Sequence, residues 1–323
     1  MSESTESIEG SLAGPIVITG AAGFIGAHLA AKAINSGLLV VGIDREAERP
    51  SLSTNPNYRH YRMGLPSADL EDVCRRYAPE LIIHAAGPSS VPESLIEPFA
   101  DFAAAVPAVV SALDILRKQR RHTKFILLSS ASVYGSPGYL PIREEEVPRP
   151  ISPYGYHKYM CELAVEEFAS LYGVRACIAR IFSAYGPGLR RQVLWDICCK
   201  TMSDAPDLLF GTGQETRDFI HVSDISEGVY TLARAGSMSG GVYNLASGKQ
   251  TSIAELALWL TQALGSGSSP EFSAQVREGD PRHWQADITK IMSLGFSPRV
   301  SLSDGVIEYA RWFLSDESLV KRA

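Results

Sequence analysis

Cysteine is scarce in this 323-residue chain. The five residues, Cys74, Cys161, Cys177, Cys198 and Cys199, are odd in number and form no CxxC pair. A disulfide framework or a thiolate metal site needs paired or closely spaced thiols, so neither is expected. The cysteines read as reduced core or helix residues of a cytoplasmic protein. Histidine is equally uninformative: His28, His84 and His221 have no second histidine or cysteine at ligand spacing and read as packing or strand residues, which leaves no metal site. Long apolar runs are missing, because the longest falls short of the ~18 to 20 residues that cross a bilayer, and no membrane association is expected. Residues 1-13 are acidic and serine-rich, lack the basic and apolar segments of a signal peptide, and read as a disordered tail. Positive charge is also in deficit: 30 Lys and Arg against 36 Asp and Glu leave a net charge of -6, which argues against nucleic acid as a partner. The one basic run, Arg117-Lys-Gln-Arg-Arg121, has no interleaved aromatics and reads as the solvated end of a helix.

What is present is ordinary in bulk and specific in pattern. A hydrophobic fraction of 45% and a charged fraction of 20% suit a soluble globular chain. Its length exceeds a typical single core and suggests one large α/β unit with a smaller partner. Strand candidates at 15-19, 39-43, 81-84, 124-129 and 174-181 alternate with helical segments at about 24-36, 70-77, 95-119 and 153-172. That alternation predicts a doubly wound parallel sheet of the Rossmann type. Pro107 falls inside the 95-119 segment, where a kink or a restart is expected. After about 183 the pattern turns irregular, with Gly-Pro turns at 186-188, short runs near 208-210 and 242-245, a Gly/Ser loop at 265-269 and a terminal helix at about 302-314. The expected division is a dinucleotide-binding domain of 14-182 and about 213-245, and a smaller substrate domain of about 183-212 and 246-323.

The first chemical signal follows the first strand. Pro15-Ile-Val-Ile-Thr19 runs into Gly20-Ala-Ala-Gly23-Phe-Ile-Gly26 and then into an alanine-rich helix. Glycines let the backbone turn tightly against a pyrophosphate, whose charge meets free N–H groups at the helix N-terminus. The spacing is GxxGxxG. A second apolar run, Leu38 to Ile43, ends at Asp44, about 20 residues on, where a carboxylate can bond the adenosine ribose hydroxyls. That carboxylate repels a 2′-phosphate and favours NAD; Arg45 beside it leaves NADP open.

The second signal is Ser152-Pro-Tyr-Gly-Tyr-His-Lys158, with Ser130 upstream in Leu-Ser-Ser-Ala-Ser-Val-Tyr-Gly135. If Ser152 caps a helix and Pro153 fills its first turn, Tyr154 and Lys158 project one above the other at i and i+4. An ammonium a few ångströms from a phenol favours the phenolate and makes tyrosine usable as a general base. Alone, Tyr-x-x-x-Lys commonly marks a solvated helix face; the glycine turn and Asp44 give it a cofactor.

Together these motifs resemble the extended short-chain dehydrogenase/reductase family, in particular its nucleotide-sugar epimerases and dehydratases. The resemblance runs from about residue 14 to the C-terminus. It includes His84-Ala-Ala-Gly87, Arg180-Ile-Phe-Ser-Ala-Tyr-Gly-Pro-Gly188, Gly211-Thr-Gly-Gln-Glu-Thr-Arg-Asp-Phe-Ile-His-Val222, Val242-Tyr-Asn-Leu245 and Arg277-Glu-Gly-Asp-Pro281. It implies NAD held by Gly20, Gly23, Phe24, Ile25, Gly26, Asp44, Arg45, Met63, Gly64, Ala85, Ala86 and Gly87, with Tyr154 and Lys158. It implies a nucleotide-diphosphate sugar held by Ser90, Ser130, Ser132, Ser183, Gln192, Val193, Phe210, Arg217, Arg277, Asp280 and Trp284. Within that set Arg217 and Arg277 reach the diphosphate, Phe210 borders the base, Gln192 stands where a pyrophosphate-facing asparagine is usual, and Trp284 lines the sugar pocket near C2. Without the resemblance, Arg217 next to Asp218 reads as a surface ion pair, and Phe210 and Trp284 as core residues. Met63, Ala105 and Ser183 depart from the family's aspartate, asparagine and asparagine, so both grips are partly remodelled.

Dehydratases of the family carry an Asp-Glu pair directly after the hydroxyl residue, and decarboxylases a glutamate two residues after it. Here those positions are Ala131 and Ser132. With no acid beside Ser130, elimination is disfavoured, and the resemblance implies a 4-epimerase of a UDP-hexose or UDP-uronic acid that works through a transient 4-keto sugar. Tyr154 is the expected base, Ser130 the group that polarises the oxygen, and Lys158 also bonds the nicotinamide ribose. Two alternatives stand: a 4-keto-sugar reductase that consumes NAD(P)H, and a non-catalytic NAD-binding scaffold. A homodimer is expected through the 95-119 and 153-172 helices, with Val109, Val110, Leu113 and Leu116 as an apolar stripe, unless that stripe packs only on its own sheet.

Overall fold

The computed structural model describes residues 12–119, 122–203, 208–267, 270–275, 279 and 281–315. Among them ten strands form two sheets. In chain order they are β1 (Ile16–Thr19), β2 (Val40–Asp44), β3 (Tyr58–Arg62), β4 (Leu81–His84), β5 (Lys124–Ser130), β6 (Ala176–Ile181), β7 (Ser183–Tyr185), β8 (Thr216–His221), β9 (Ser239–Leu245) and β10 (Gln250–Ser252). The larger sheet has the order β3-β2-β1-β4-β5-β6-β9, and its pairings are parallel throughout. The chain winds one way from β1 to β3 and the other way from β4, so the switch point lies between β1 and β4. Ligands of such sheets bind beyond the carboxyl ends of the strands at that point.

The inner strands are short runs of branched apolar residues because both faces are covered: every residue of β1, β4 and β6 is buried. On one face the helices Phe24–Asn35 and Val222–Ala235 pack on the sheet through Leu29, Ala30, Ile225 and Val229. On the other, Pro98–Gln119 and Pro153–Tyr172 pack through Val109, Leu113, Leu116, Val165 and Phe168. The smaller sheet, β10-β8-β7, shares a third core with the helices Gln192–Thr201, Ile253–Ala263 and Leu302–Ser315, into which Phe24 reaches from the first helix.

The helix expected at 153-172 has those bounds, and the terminal helix reaches 315. The 95-119 expectation needs correction. Two helices, Val91–Ile96 and Pro98–Gln119, meet at Glu97, and the second runs unbroken past Pro107. A proline is tolerated in a first turn, hence the start at Pro98. At Pro107 one amide donor is missing, but Ala105, Ala108 and Val109 around it are buried, and that packing outweighs one lost bond. Pro98–Gln119 is long and apolar enough to cross a bilayer by length and composition, but its apolar side faces Val17, Ile82 and Phe125 of the sheet. The stripe of Val109, Leu113 and Leu116 therefore belongs to this core, and only Val110 of the four is exposed.

Candidate active site

A cleft of about 1230 Å³ opens beyond the carboxyl ends of β1, β4, β5 and β6 and extends to β7 and β8. Its floor is the glycine turn. Gly20 has φ +72°, and a Cβ there would stand 2.7 Å from the Ala85 carbonyl carbon; one on Gly26 would stand 2.1 Å from the Gly20 oxygen. Only glycine fits either place. Gly23 precedes the Phe24–Asn35 helix without a side-chain cap, so the helix presents its first N–H groups to the cleft beside Phe24 and Ile25.

Asp44 closes β2 at the rim. One carboxylate oxygen accepts from the Ala22 amide and the other from the Glu46 amide, both at 3.0 Å, which fixes its direction and ties it to the glycine turn. Arg45 is exposed on the same rim, 3.6 Å from Glu46. Met63 and Gly64 follow β3 into the wall, with the Met63 amide donating to the Asp44 carbonyl at 2.8 Å. Ala85, Ala86 and Gly87 follow β4. Gly87 has φ +131°, and a Cβ on it would lie 4.0 Å from the Lys158 Nζ. A tight turn that only glycine allows, an uncapped helix start and a carboxylate at the rim fit a dinucleotide.

Ser130, Tyr154 and Lys158 meet in the same cleft. Ser130 ends β5, where its Oγ accepts from the Ser132 amide at 3.1 Å and caps the short turn Ala131–Tyr134. Ser152 caps the Pro153–Tyr172 helix by accepting from the Gly155 amide at 3.2 Å, with Pro153 in the first turn as expected. The Tyr154 amide, still without an intrahelical partner, donates to Ser94 Oγ at 3.1 Å. Lys158 Nζ donates to the Leu128 carbonyl at 3.3 Å and lies 5.7 Å from the Tyr154 ring centroid. Beneath them His84 is buried, hydrogen-bonded to Thr19 Oγ1 at 3.0 Å; burial first, and the Lys158 charge second, push its pKa down to about 3, so the imidazole is neutral.

The far end of the cleft gathers Ser90, Ser132, Ser183, Gln192, Val193, Phe210, Arg217 and Trp284. Ser90 caps the Val91–Ile96 helix. Ser132 Oγ is buried without a hydrogen-bond partner. Gln192 has φ +65°, an uncommon conformation for a residue with a Cβ, of the kind that collects at ligand sites. Phe210 is half exposed, so it is not the core residue of the plainer reading, and the Lys200 ammonium lies 5.1 Å from its ring centroid. Trp284 serves both readings: only 8% exposed, it donates through Nε1 to the Gly135 carbonyl at 3.0 Å and still lines the cleft, 5.6 Å from the Arg217 guanidinium. Arg277 and Asp280 lie outside the described residues.

The surface pairing of Arg217 with Asp218 does not occur as expected. Strand residues alternate faces, so Arg217 looks into the cleft while Asp218 is fully buried, and burial pushes its carboxyl up to about 6 against the pull of four hydrogen-bond donors. The lining also includes residues outside the set named from the sequence, among them three charged groups at the substrate end. Arg282 sits between Arg277 and Trp284, in a stretch already suspected, and Arg191 directly precedes Gln192. Glu215 accepts from the Thr212 amide at 3.0 Å and shapes the turn after Phe210.

Residues 16–246 match the NAD dependent epimerase/dehydratase family, and the chain belongs to that family. Among individual relatives, it is 30% identical to the UDP-glucose 4-epimerase of Mycolicibacterium smegmatis over 312 residues, covering 92% of this chain and 97% of that protein. The UDP-glucose 4-epimerase of Thermotoga maritima, solved with UDP-glucose, superposes with a TM-score of 0.85 at 29% identity over 93% of this chain and 98% of that one. The UDP-glucuronic acid 4-epimerase of Bacillus cereus, solved with UDP-glucuronic acid and NAD, gives 0.86 at 28% identity over 95% and 99%.

Proposed function

We propose that this chain is an NAD-dependent epimerase that inverts C4 of a UDP-hexose or UDP-uronic acid through a transient 4-keto sugar. The observation that carries the reading is the convergence of Ser130, Tyr154 and Lys158 in one cleft with Ala131, not an acid, after Ser130. The C4 hydroxyl proton goes to Tyr154 Oη, and Ser130 Oγ donates to the same substrate oxygen as charge moves onto it. Lys158 holds positive charge beside the phenol, and its tie to Leu128 limits where that charge can sit. Bound NAD would supply the hydride acceptor and donor; inversion then requires that the 4-keto sugar turn over before the hydride comes back on its opposite face and Tyr154 returns the proton to the oxygen, with no net redox change. The tight turn that Gly20 and Gly26 permit and the open face at Gly87 would hold it, and Asp44 would offer its ribose a carboxylate.

Arg217 supplies a planar guanidinium for the diphosphate. In this reading residues 14–182 and about 213–245 form the cofactor domain, from which Ser130, Tyr154 and Arg217 reach the substrate, and about 183–212 and 246–323 form the substrate domain. The protein works as a cytoplasmic homodimer joined through the exposed Val110, Met160, Leu163 and Leu171 of the two long helices. Light scattering at micromolar concentration checks the dimer. The activity is tested on a panel of UDP-sugars without added cofactor. Interconversion of C4 epimers supports the epimerase; NADPH oxidation by a 4-keto sugar supports the reductase, for which Arg45 on the rim would be the anchor; neither, with NAD bound, supports a scaffold.

A further inference from the structure

Asp218 binds together three chain segments that are distant in sequence. Its Oδ1 accepts from the Ser247 amide at 2.8 Å and the Ser247 hydroxyl at 2.7 Å. Its Oδ2 accepts from the Gly248 amide at 3.0 Å and the Ala286 amide at 3.1 Å. β8, the turn after β9 and the 284–286 segment thus meet on one buried carboxylate. A charge taken out of water is costly unless its lone pairs are filled, and all four contacts here are donors.

The same segments build the substrate end of the cleft. The 282–284 segment runs alongside β8: the Thr216 amide donates to the Arg282 carbonyl at 2.9 Å and the Trp284 amide to the Thr216 carbonyl at 3.2 Å. Arg217 Nη1 donates to the Thr216 carbonyl at 3.0 Å, and its guanidinium lies over Trp284. One residue beyond Arg217 in one strand and two beyond Trp284 in the other, Asp218 and Ala286 lock the register that places both side chains. Ser130, Tyr154 and Lys158 stand on β5 and the Pro153–Tyr172 helix, which the carboxylate does not touch.

We propose that Asp218 is a positioning residue of the sugar-nucleotide site: without reaching the ligand, it sets the place of Arg217 and Trp284 and so governs substrate affinity rather than the chemical step. This rests on the reading of Arg217 as the diphosphate's partner. Asp218→Asn is the informative variant, because whichever way its amide turns the NH2 faces a backbone N–H donor, that of Ser247 at one oxygen position or those of Gly248 and Ala286 at the other, and at least one of these ties is lost.

The experiment is a double-mutant cycle on UDP affinity, read by calorimetry in Asp218→Asn, Arg217→Met and the double variant, with KM, kcat and NAD content measured alongside. Asp218→Asn is expected to weaken UDP and raise KM on the order of tenfold, the scale of one charge-assisted contact, with kcat within about threefold and NAD retained. The double variant is expected to bind UDP no more than about twofold worse than Arg217→Met, since the group that Asp218 positions is already gone. Unchanged UDP affinity and KM in Asp218→Asn, with only a lower unfolding temperature, overturns the proposal. Additive losses in the cycle do the same. If Arg217→Met alone leaves UDP affinity intact, the diphosphate reading is what has failed, and the proposal falls with it. Should Asp218→Asn not fold, Ser247→Ala removes one of the four donors and is expected to weaken UDP in the same direction by less; no effect there also counts against the proposal.

Discussion

Ser129 and Arg180 stand opposite each other in the β5–β6 register and bond the same carboxylate, that of Glu162. Ser129 Oγ donates at 2.5 Å and Arg180 Nη2 at 2.7 Å, and all three side chains are buried. Glu162 lies one turn beyond Lys158 on the same helix, and Ser130 follows Ser129 on the strand. The group therefore sets the helix that carries Tyr154 and Lys158 against the strand that carries Ser130. Burial works against the Arg180 charge, but Glu162 more than restores it and raises the pKa above that of a free guanidinium.

Removing one partner of such a pair strands the other. Glu162→Leu is expected to cost about 3 to 5 kcal/mol in urea unfolding, and Arg180→Met added to it to recover most of that loss. A double variant as unstable as the single one would show that the hydrogen bonds of Arg180 to the Glu144 carbonyl and its stacking on Tyr134 matter more than the ion pair.

Tyr154→Phe removes a proton acceptor and leaves the packing. The amide of residue 154 keeps its bond to Ser94, and Lys158 keeps its bond to Leu128. Turnover is expected to fall by at least about 10² to 10⁴, the range for a lost general base, with NAD still bound in full. Near-normal turnover would move the proton chemistry to another group.

Asp44→Ala acts at two points, because the carboxylate that would read the ribose also holds the Ala22 amide of the glycine turn. NAD affinity is expected to drop and the preference for NAD over NADP to shrink, both measured by titration of the stripped protein. Equal affinities before and after would show that another residue reads the ribose.

The residues that were legible in the sequence are those whose geometry is set locally. A glycine turn, a Ser-Pro helix start and an i,i+4 pair are each fixed by a few consecutive residues, and Gly20, Ser152 and Lys158 stand where their spacing puts them. What was illegible depends on chain segments that meet only in the fold. β3, Tyr-Arg-His-Tyr-Arg, is a polar edge strand with only Tyr58 buried, so it carries no apolar run to detect. Val109, Leu113 and Leu116 form the same stripe whether a helix faces its own sheet or a second subunit. Asp218 with Ala286 and Glu162 with Arg180 are choices of partner made across the chain.

Trp284 joins both ends of this argument, since its indole is an anchor by burial and a wall by position. The Nε1 bond to the Gly135 carbonyl and the edge contact with Phe182 hold it to the cofactor-side core, while the cleft side faces Arg217. Trp284→Cys should therefore cost stability, about 3 to 5 kcal/mol for a large aromatic replaced by a small side chain. The space opened lies beside the sugar site, so activity on N-acetylated UDP-sugars relative to UDP-hexoses is expected to rise roughly 10-fold or more, the effect of relieving overlap in a packed pocket. The ratio of kcat/KM for the two sugar classes, taken well below the variant's unfolding temperature, separates the two effects. A destabilised variant with an unchanged ratio would leave Trp284 as an anchor alone, with no part in excluding an acetamido group at C2.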